Sequence, residues 1–246
     1  MRNRNKPTTQ AKSQYYIYGT HAVIAAAKNN KREIKKIFCL PKQAEVVRQK
    51  TKNCDIEVVQ HDFITKKIGH DQPHQGVIAL VNTIFKDGID KLSFNDKKDR
   101  VVILDQISDP QNVGAIIRSA ASFGIDKIIM PKDNSPDENA SIAKAACGCL
   151  ELVQVAKVTN LQNTIKTLKD KGFWIAGLDA RGSEELNNII NIDKVAIIVG
   201  SEGKGMRKLT SSSCDFHVKI PISSNVESLN ASNAASIIFY LLRNLN

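Results

Sequence analysis

A two-part α/β architecture is predicted by this sequence: a small α/β unit first, then a larger, mostly parallel sheet covered by helices on both faces. Three observations carry it. Short all-apolar runs such as Val101-Val102-Ile103-Leu104 and Ile197-Ile198-Val199 are bounded by small and polar residues, the pattern of strands buried on both faces. They alternate with longer segments of helical period, which implies parallel strands joined by helices. The charge is also divided, because residues 1–100 hold 20 Lys and Arg against 10 Asp and Glu whereas residues 101–246 hold 15 of each. A basic module beside a neutral one suits a polyanion-binding unit joined to a catalytic one, although a merely solvated basic surface would show the same totals.

Residues 1–14 are polar and basic and contain no acid, so a disordered tail is expected there. From Tyr15 to Val81 the pattern gives a helix around His21 to Lys28, a strand at Lys36 to Leu40, a helix around Ala44 to Lys52 and a strand at Ile56 to Val59. A short helix near Phe63 to Ile68 and a strand at Gly76 to Val81 complete that unit, taken as residues 15–82. Residues 83–99 lose apolar periodicity and gain charges and turn formers, as a linker does. The second domain, 100–246, begins with the strand Val101 to Leu104. The helix Val113 to Phe123 follows, with Gly114, Ala115, Ala120 and Ala121 small enough for close packing. Strands are expected at Lys127 to Met130, Leu152 to Val155, Trp174 to Leu178, Val195 to Val199 and Phe216 to Ile220, and a last helix from Ala231 to Leu245. That helix holds Ile237-Ile238-Phe239-Tyr240-Leu241-Leu242, more apolar surface than one face against its own sheet requires.

Five cysteines without the spacing of a disulfide framework, and no secretory apolar segment ahead of them, point to the reducing cytoplasm. Cys147-Gly148-Cys149 has no second Cys or His pair at zinc-finger spacing, so free thiols are expected and no metal. No apolar run is long enough to span a bilayer, which argues against a membrane protein. His21 and His74 lack a partner carboxylate in sequence context, so hydrogen bonding within loops is expected of both.

Three segments carry the chemistry: Asp109-Pro110-Gln111-Asn112-Val113-Gly114 with Arg118; Ile197-Ile198-Val199-Gly200-Ser201-Glu202-Gly203; and Ile220-Pro221 running to Ser228-Leu229-Asn230-Ala231-Ser232. Each lies where an apolar run breaks into small and polar residues, the strand ends where α/β proteins place their sites. The glycine-rich Gly200 to Gly205 fits neither the P-loop pattern nor the dinucleotide fingerprint. Taken by themselves, Asn112 reads as a helix N-cap and Arg118 as a surface cation, while Glu202, Ser228 and Asn230 read as loop hydrogen-bonders.

In order, spacing and flanking strands the three segments resemble the motifs of the SpoU family of RNA ribose 2'-O-methyltransferases. The likeness extends over about the last 150 residues and more loosely over about the first 85. It implies the SPOUT fold with a carboxyl-terminal trefoil knot, S-adenosylmethionine as cofactor and a homodimer. Tyr18-Gly19-Thr20-His21-Ala22-Val23 and His74-Gln75-Gly76-Val77-Ile78-Ala79 resemble the ends of the L30e-like RNA-binding domain of one SpoU branch. The resemblance places cofactor contacts at Gly200, Ile220 and Leu229, and the catalytic set at Asn112, Arg118, Glu202, Ser228 and Asn230. Glu202 would orient Arg118, Asn230 would position the ribose or hold loops together, and Ser228 would line the pocket. The chain departs from many members at Ser224, where a glycine is usual and a positive φ would strain serine. The first module resembles most that of a large-subunit (23S) rRNA enzyme modifying a guanosine. A transfer-RNA ribose methyltransferase and a non-catalytic RNA-binding or ribosome-assembly factor are the rivals.

Overall fold

The computed structural model describes residues 13–51, 53–180, 182, 184–185 and 187–243. Residues 1–12 of the expected tail, and the expected helix ends Lys52 and Leu245, lie outside the described residues. The first sheet combines β1 (Gln14–Tyr18), β2 (Ile34–Cys39), β3 (Ile56–Val58) and β4 (Val77–Asn82) in the order β1-β4-β2-β3. Helices α1 (Thr20–Lys28), α2 (Pro41–Lys50) and α3 (His61–Ile68) connect them. Strand β1 was absent from the sequence expectation, which began this unit with a helix; it pairs antiparallel with β4 over its whole length. Helix α2 starts at Pro41 rather than Ala44, because proline at the first helical position sacrifices an N–H that no carbonyl would have met.

The larger sheet uses β5 (Lys86–Asp87), β6 (Asp99–Asp105), β7 (Lys127–Pro131), β8 (Gln154–Val158), β9 (Trp174–Leu178), β10 (Glu184–Glu185), β11 (Lys194–Gly200) and β12 (Phe216–Lys219). Every pairing in it is parallel, in the order β10-β12-β9-β11-β6-β7-β8-β5. Its helices are α4 (Pro110–Ser122), α5 (Ala140–Ala146), α6 (Leu161–Asp170), α7 (Asn187–Ile190), α8 (Lys208–Ser212) and α9 (Ala231–Leu241). The chain runs outward through β6, β7 and β8 and returns to β9. It then inserts β11 between β9 and β6 and ends with β12 outside β9. Alternation along β6 divides its residues between the two faces: Val102 and Leu104 join the cluster under α4 and α9, and Val101 and Ile103 the cluster under α6. Strand β8 begins at Gln154 instead of Leu152, because Cys149–Leu152 wind as a 3-10 turn. Gly114 sits where α4 crosses α5; a Cβ there would come within 2.5 Å of the Ala145 methyl, so glycine sets that approach. Among the described residues no helix is long and apolar enough to cross a membrane, and all five cysteines are free.

Residues 83–99, expected as a bare linker, carry β5, which hydrogen-bonds to β8 at the edge of the larger sheet. Leu92 of the same stretch is buried, and Phe94 meets Phe173 edge to face at 5.7 Å. The two sheets share one apolar cluster, running from Ile17, Val23 and Ile37 to Ile117, Ala143 and Leu150. Beside it lies an ionic seam. The Arg32 guanidinium, its side chain 0% exposed, donates to Glu138 and Glu151 of the second part. Glu138 also accepts from the Tyr15 hydroxyl at 2.6 Å and from the backbone N–H groups of Ile84 and Phe85 at 2.6 and 2.9 Å. Burial and the Glu138 charge push the Tyr15 hydroxyl far above its ordinary ionisation range. Arg32 is held charged against its own burial by its bond to Glu151 and by the Glu138 charge.

Candidate functional site

The carboxyl ends of β9, β11 and β12 open onto a cavity of about 690 Å³, a volume typical of small-molecule sites. Its walls are the run from Val199 to Met206, the strand ends Leu178-Asp179 and Val218, and Ile220 with Glu227 to Leu229. The loop after β11 folds back on itself: the Ser201 N–H donates to the Gly205 carbonyl at 3.1 Å, and the Gly205 N–H donates to the Ser201 carbonyl at 2.8 Å. A Cβ at Gly200 would stand 2.4 Å from the Gly205 carbonyl carbon and 2.5 Å from the Met206 nitrogen, so glycine is required for this return. The three residues expected to touch a cofactor, Gly200, Ile220 and Leu229, all line this cavity. Glu202 and Ser228 line it as well, both exposed.

Asn112, Glu202 and Asn230 meet although they come from three separate segments. The Asn230 amide Nδ2 donates to Asn112 Oδ1 at 3.1 Å and to Glu202 Oε2 at 3.2 Å. The other end of the same side chain caps α9, Oδ1 accepting from the Ser232 N–H at 2.9 Å and the Ser232 hydroxyl at 2.6 Å. Asn112 is not the N-cap of α4, as the sequence suggested. Asp109 is, its carboxylate accepting from the N–H groups of Gln111 at 3.0 Å and Asn112 at 3.3 Å, with Pro110 opening the helix. Relieved of capping, the Asn112 carboxamide is available to Asn230.

Arg118 stands apart from this group. It is exposed on α4, six residues beyond Asn112 and so ~9 Å further along the helix axis. Among the described residues its guanidinium has no ion pair or hydrogen bond, and Glu202 does not orient it: Asn230 holds Glu202 instead. What the Arg118 charge does reach is Cys149, whose thiol burial pushes up and the guanidinium pulls back. Ser224 adopts no positive φ, so the strain expected there does not arise. No group of three metal-ligating side chains occurs among the described residues. The sequence reading missed the Asp109 cap, the Asp179 wall of the cavity and the contact between buried Asp105 and Arg207. An acid ending the apolar run Val101 to Leu104 was the one available signal for the last of these.

Comparison with known proteins identifies the family. Residues 99–240 match the model of the SpoU rRNA Methylase family, and residues 16–84 match a model described as RNA 2'-O ribose methyltransferase substrate binding. A Staphylococcus epidermidis protein assigned to the TrmH family of tRNA/rRNA methyltransferases is 44% identical over 172 residues, covering 68% of this chain and 69% of its own. Among solved structures, the SpoU methyltransferase AviRb of Streptomyces viridochromogenes in complex with AdoMet superposes with a TM-score of 0.81 at 20% identity, covering 93% of this chain and 89% of that one. An AdoMet-bound rRNA methyltransferase of Sinorhizobium meliloti gives 0.79 at 22% identity, covering 93% and 86%. At those identities the structures speak for the fold alone.

Proposed function

Because the chain belongs to the SpoU rRNA methylase family, we propose that it transfers a methyl group from S-adenosylmethionine to the 2'-hydroxyl of an RNA ribose. The observation that carries this reading is the junction of Asn112 and Asn230 with Glu202, itself part of the wall of a glycine-cradled cavity. The cavity suits the cofactor: Leu178, Val199, Ile220 and Leu229 offer apolar wall, Gly200 lets main chain come close, and Asp179, Glu227 and Lys208 supply both signs of charge to a zwitterionic ligand. When bound, S-adenosylmethionine supplies a methyl group on a sulfonium centre.

The chain's own residues align and polarise. Asn230 fixes the distance between the loop after β11 and the start of α4, which sets where a ribose can lie. Arg118, exposed and without a partner among the described residues, is suited to hold a substrate phosphate and the negative charge developing on the hydroxyl oxygen. A guanidinium does not give up its proton near neutrality, so Arg118 favours the ionised nucleophile without serving as its base. Ser228, on the cavity wall, is suited to line the cofactor or substrate pocket.

The finer reading is a guanosine of 23S rRNA, with a transfer-RNA ribose as the alternative. The basic surplus of residues 1–100 and the match over 16–84 support RNA capture by the first, L30e-like unit, taken as 15–82 and joined by 83–99 to a catalytic unit, 100–246. Insertion of β11 between β9 and β6 supports the trefoil knot. Exposure of Ile237 at 39% and Tyr240 at 52% on α9 supports a homodimer through that helix, with light scattering as its check.

Arg118→Ala tests the assignment. Turnover of labelled S-adenosylmethionine on unmodified rRNA should fall about 100-fold or more, while calorimetric affinity for the cofactor stays near that of the wild type. Normal turnover in the variant would remove Arg118 from the mechanism, and no label in any RNA with the wild type would favour the non-enzymatic rival.

A further inference from the structure

We propose that Asp105 is a positioning residue for the cofactor cavity, acting through Arg207; the inference rests on the methyltransferase reading above. Asp105 ends β6, is fully buried, and stands in register with Gly200, the last residue of β11. Its carboxylate reaches across to Arg207, accepting from the backbone N–H at 2.9 Å and from the side-chain Nε at 2.7 Å. The main chain therefore leaves Asp105's backbone neighbour at Gly200 and returns to Asp105's side chain at Arg207. Everything between, Ser201 to Met206, is wall of the cavity.

Glu202, Gly203 and Lys204 at the tip of that loop are exposed and Gly203 and Gly205 take positive φ; the Ser201–Gly205 pair and the Asn230 bond to Glu202 shape the tip, and Asp105 holds its base. Asp105 thus ties both ends of the loop at one point. The chemistry makes the tie specific. An ionised carboxylate out of water is tolerated only when its oxygens are occupied by donors, and here both Asp105 oxygens take donors from Arg207. The guanidinium edge stays partly exposed, its side chain at 40%, so Arg207 can be replaced without opening the core.

Cofactor titration by calorimetry in the absence of RNA tests this with Arg207→Gln and Asp105→Asn. The asparagine would turn an amide N–H toward one of the two Arg207 donors, and the glutamine would lack the charged Nε donor. Each variant should bind S-adenosylmethionine about tenfold more weakly, as expected for loss of a charge-assisted bond, while kcat at saturating cofactor and RNA stays within about twofold of wild type. Arg207→Gln keeps the backbone bond to Asp105, so the double variant should bind no more weakly than Asp105→Asn, whose change already reaches both bonds. A purely structural role would lower the melting temperature and leave affinity untouched below it. Should Asp105→Asn fail to fold, Arg207→Gln decides alone. The proposal is overturned if Arg207→Gln binds the cofactor as tightly as wild type, or keeps that affinity and loses turnover at saturation. A wild-type protein that bound no S-adenosylmethionine would end the methyltransferase reading, and this inference with it.

Discussion

The seam between the two sheets and the rim of the cavity are both polar, yet they are built in opposite ways. At the seam Arg32, Glu138 and Glu151 have side chains 0, 1 and 6% exposed, and their bonds to Tyr15, Asn29 and backbone amides run from 2.6 to 2.9 Å. At the rim Glu202 is exposed, and the bonds that Asn230 Nδ2 donates to Asn112 and Glu202 measure 3.1 and 3.2 Å. Buried charges must be satisfied within the fold because water cannot reach them. A rim that has to admit a ligand keeps weaker, wetter bonds that can be exchanged for contacts to that ligand.

Removing Arg32 should have the largest effect. Arg32→Ala leaves Glu138 and Glu151 buried without their cation, a loss of about 3–5 kcal/mol for a broken buried ion pair. Scanning calorimetry should show the transition fall to much lower temperature, and limited proteolysis should open the 83–99 segment. The same logic predicts that deleting residues 1–100 gives an insoluble product, since it removes β5, half the seam and the Asp99 partner of buried Lys127. A variant melting within a few degrees of wild type would mean that the apolar cluster, and not the ionic seam, fixes the two parts.

Asn230 separates stability from function at the rim. Asn230→Asp keeps an oxygen for the Ser232 N–H and hydroxyl, so the α9 cap survives, but sets a carboxylate oxygen against Glu202 and Asn112 where an amide donated. Turnover should fall about tenfold or more with less than about 1 kcal/mol lost in urea unfolding. Asn230→Ala should lose both, including about 1 kcal/mol from the cap. Unchanged turnover in the Asp variant would reduce the junction to a capping device.

The rim could be read from the sequence and the seam could not. Gly200, Asn112, Glu202 and Asn230 lie in the segments that follow the apolar runs, where those runs break visibly; Gly200 and Glu202 line the cavity, and Asn112 and Asn230 join Glu202 through hydrogen bonds. Arg32 lies 106 residues from Glu138 and 119 from Glu151, and one cation within the charged run Lys31 to Lys36 reads as solvated. The same difficulty hid β5: Lys86-Asp87 has no apolar period, and only its pairing with β8 makes it a strand. The larger sheet was legible because burial on both faces forces continuous apolar runs. Strand β1 was not, because exposed Gln14 and the amphipathic Tyr15 and Tyr16 at its start blur the pattern.

The smallest expected effect tests how far the order of the seam extends into the loops of the first sheet. There the Pro73 carbonyl accepts from Lys144 of α5 at 3.1 Å, and the next residue, His74, is buried. Its Nδ1 accepts from the Gly76 N–H at 2.9 Å, and its ring lies 5.1 Å from that of His61. Burial first, and the His61 charge second, hold the His74 pKa below its ordinary value. The folded chain therefore resists a proton that the unfolded chain accepts below a pH of about 6.5. The stability this protects is complete above that pH and is lost progressively as pH falls toward the folded value. His74→Asn retains an acceptor where Nδ1 stands and removes the titration. Urea midpoints measured from pH 7.5 to 5 should fall more for wild type than for His74→Asn. Parallel curves would mean that the loop opens enough to admit the proton at no cost, and that the order of the seam ends at Lys144.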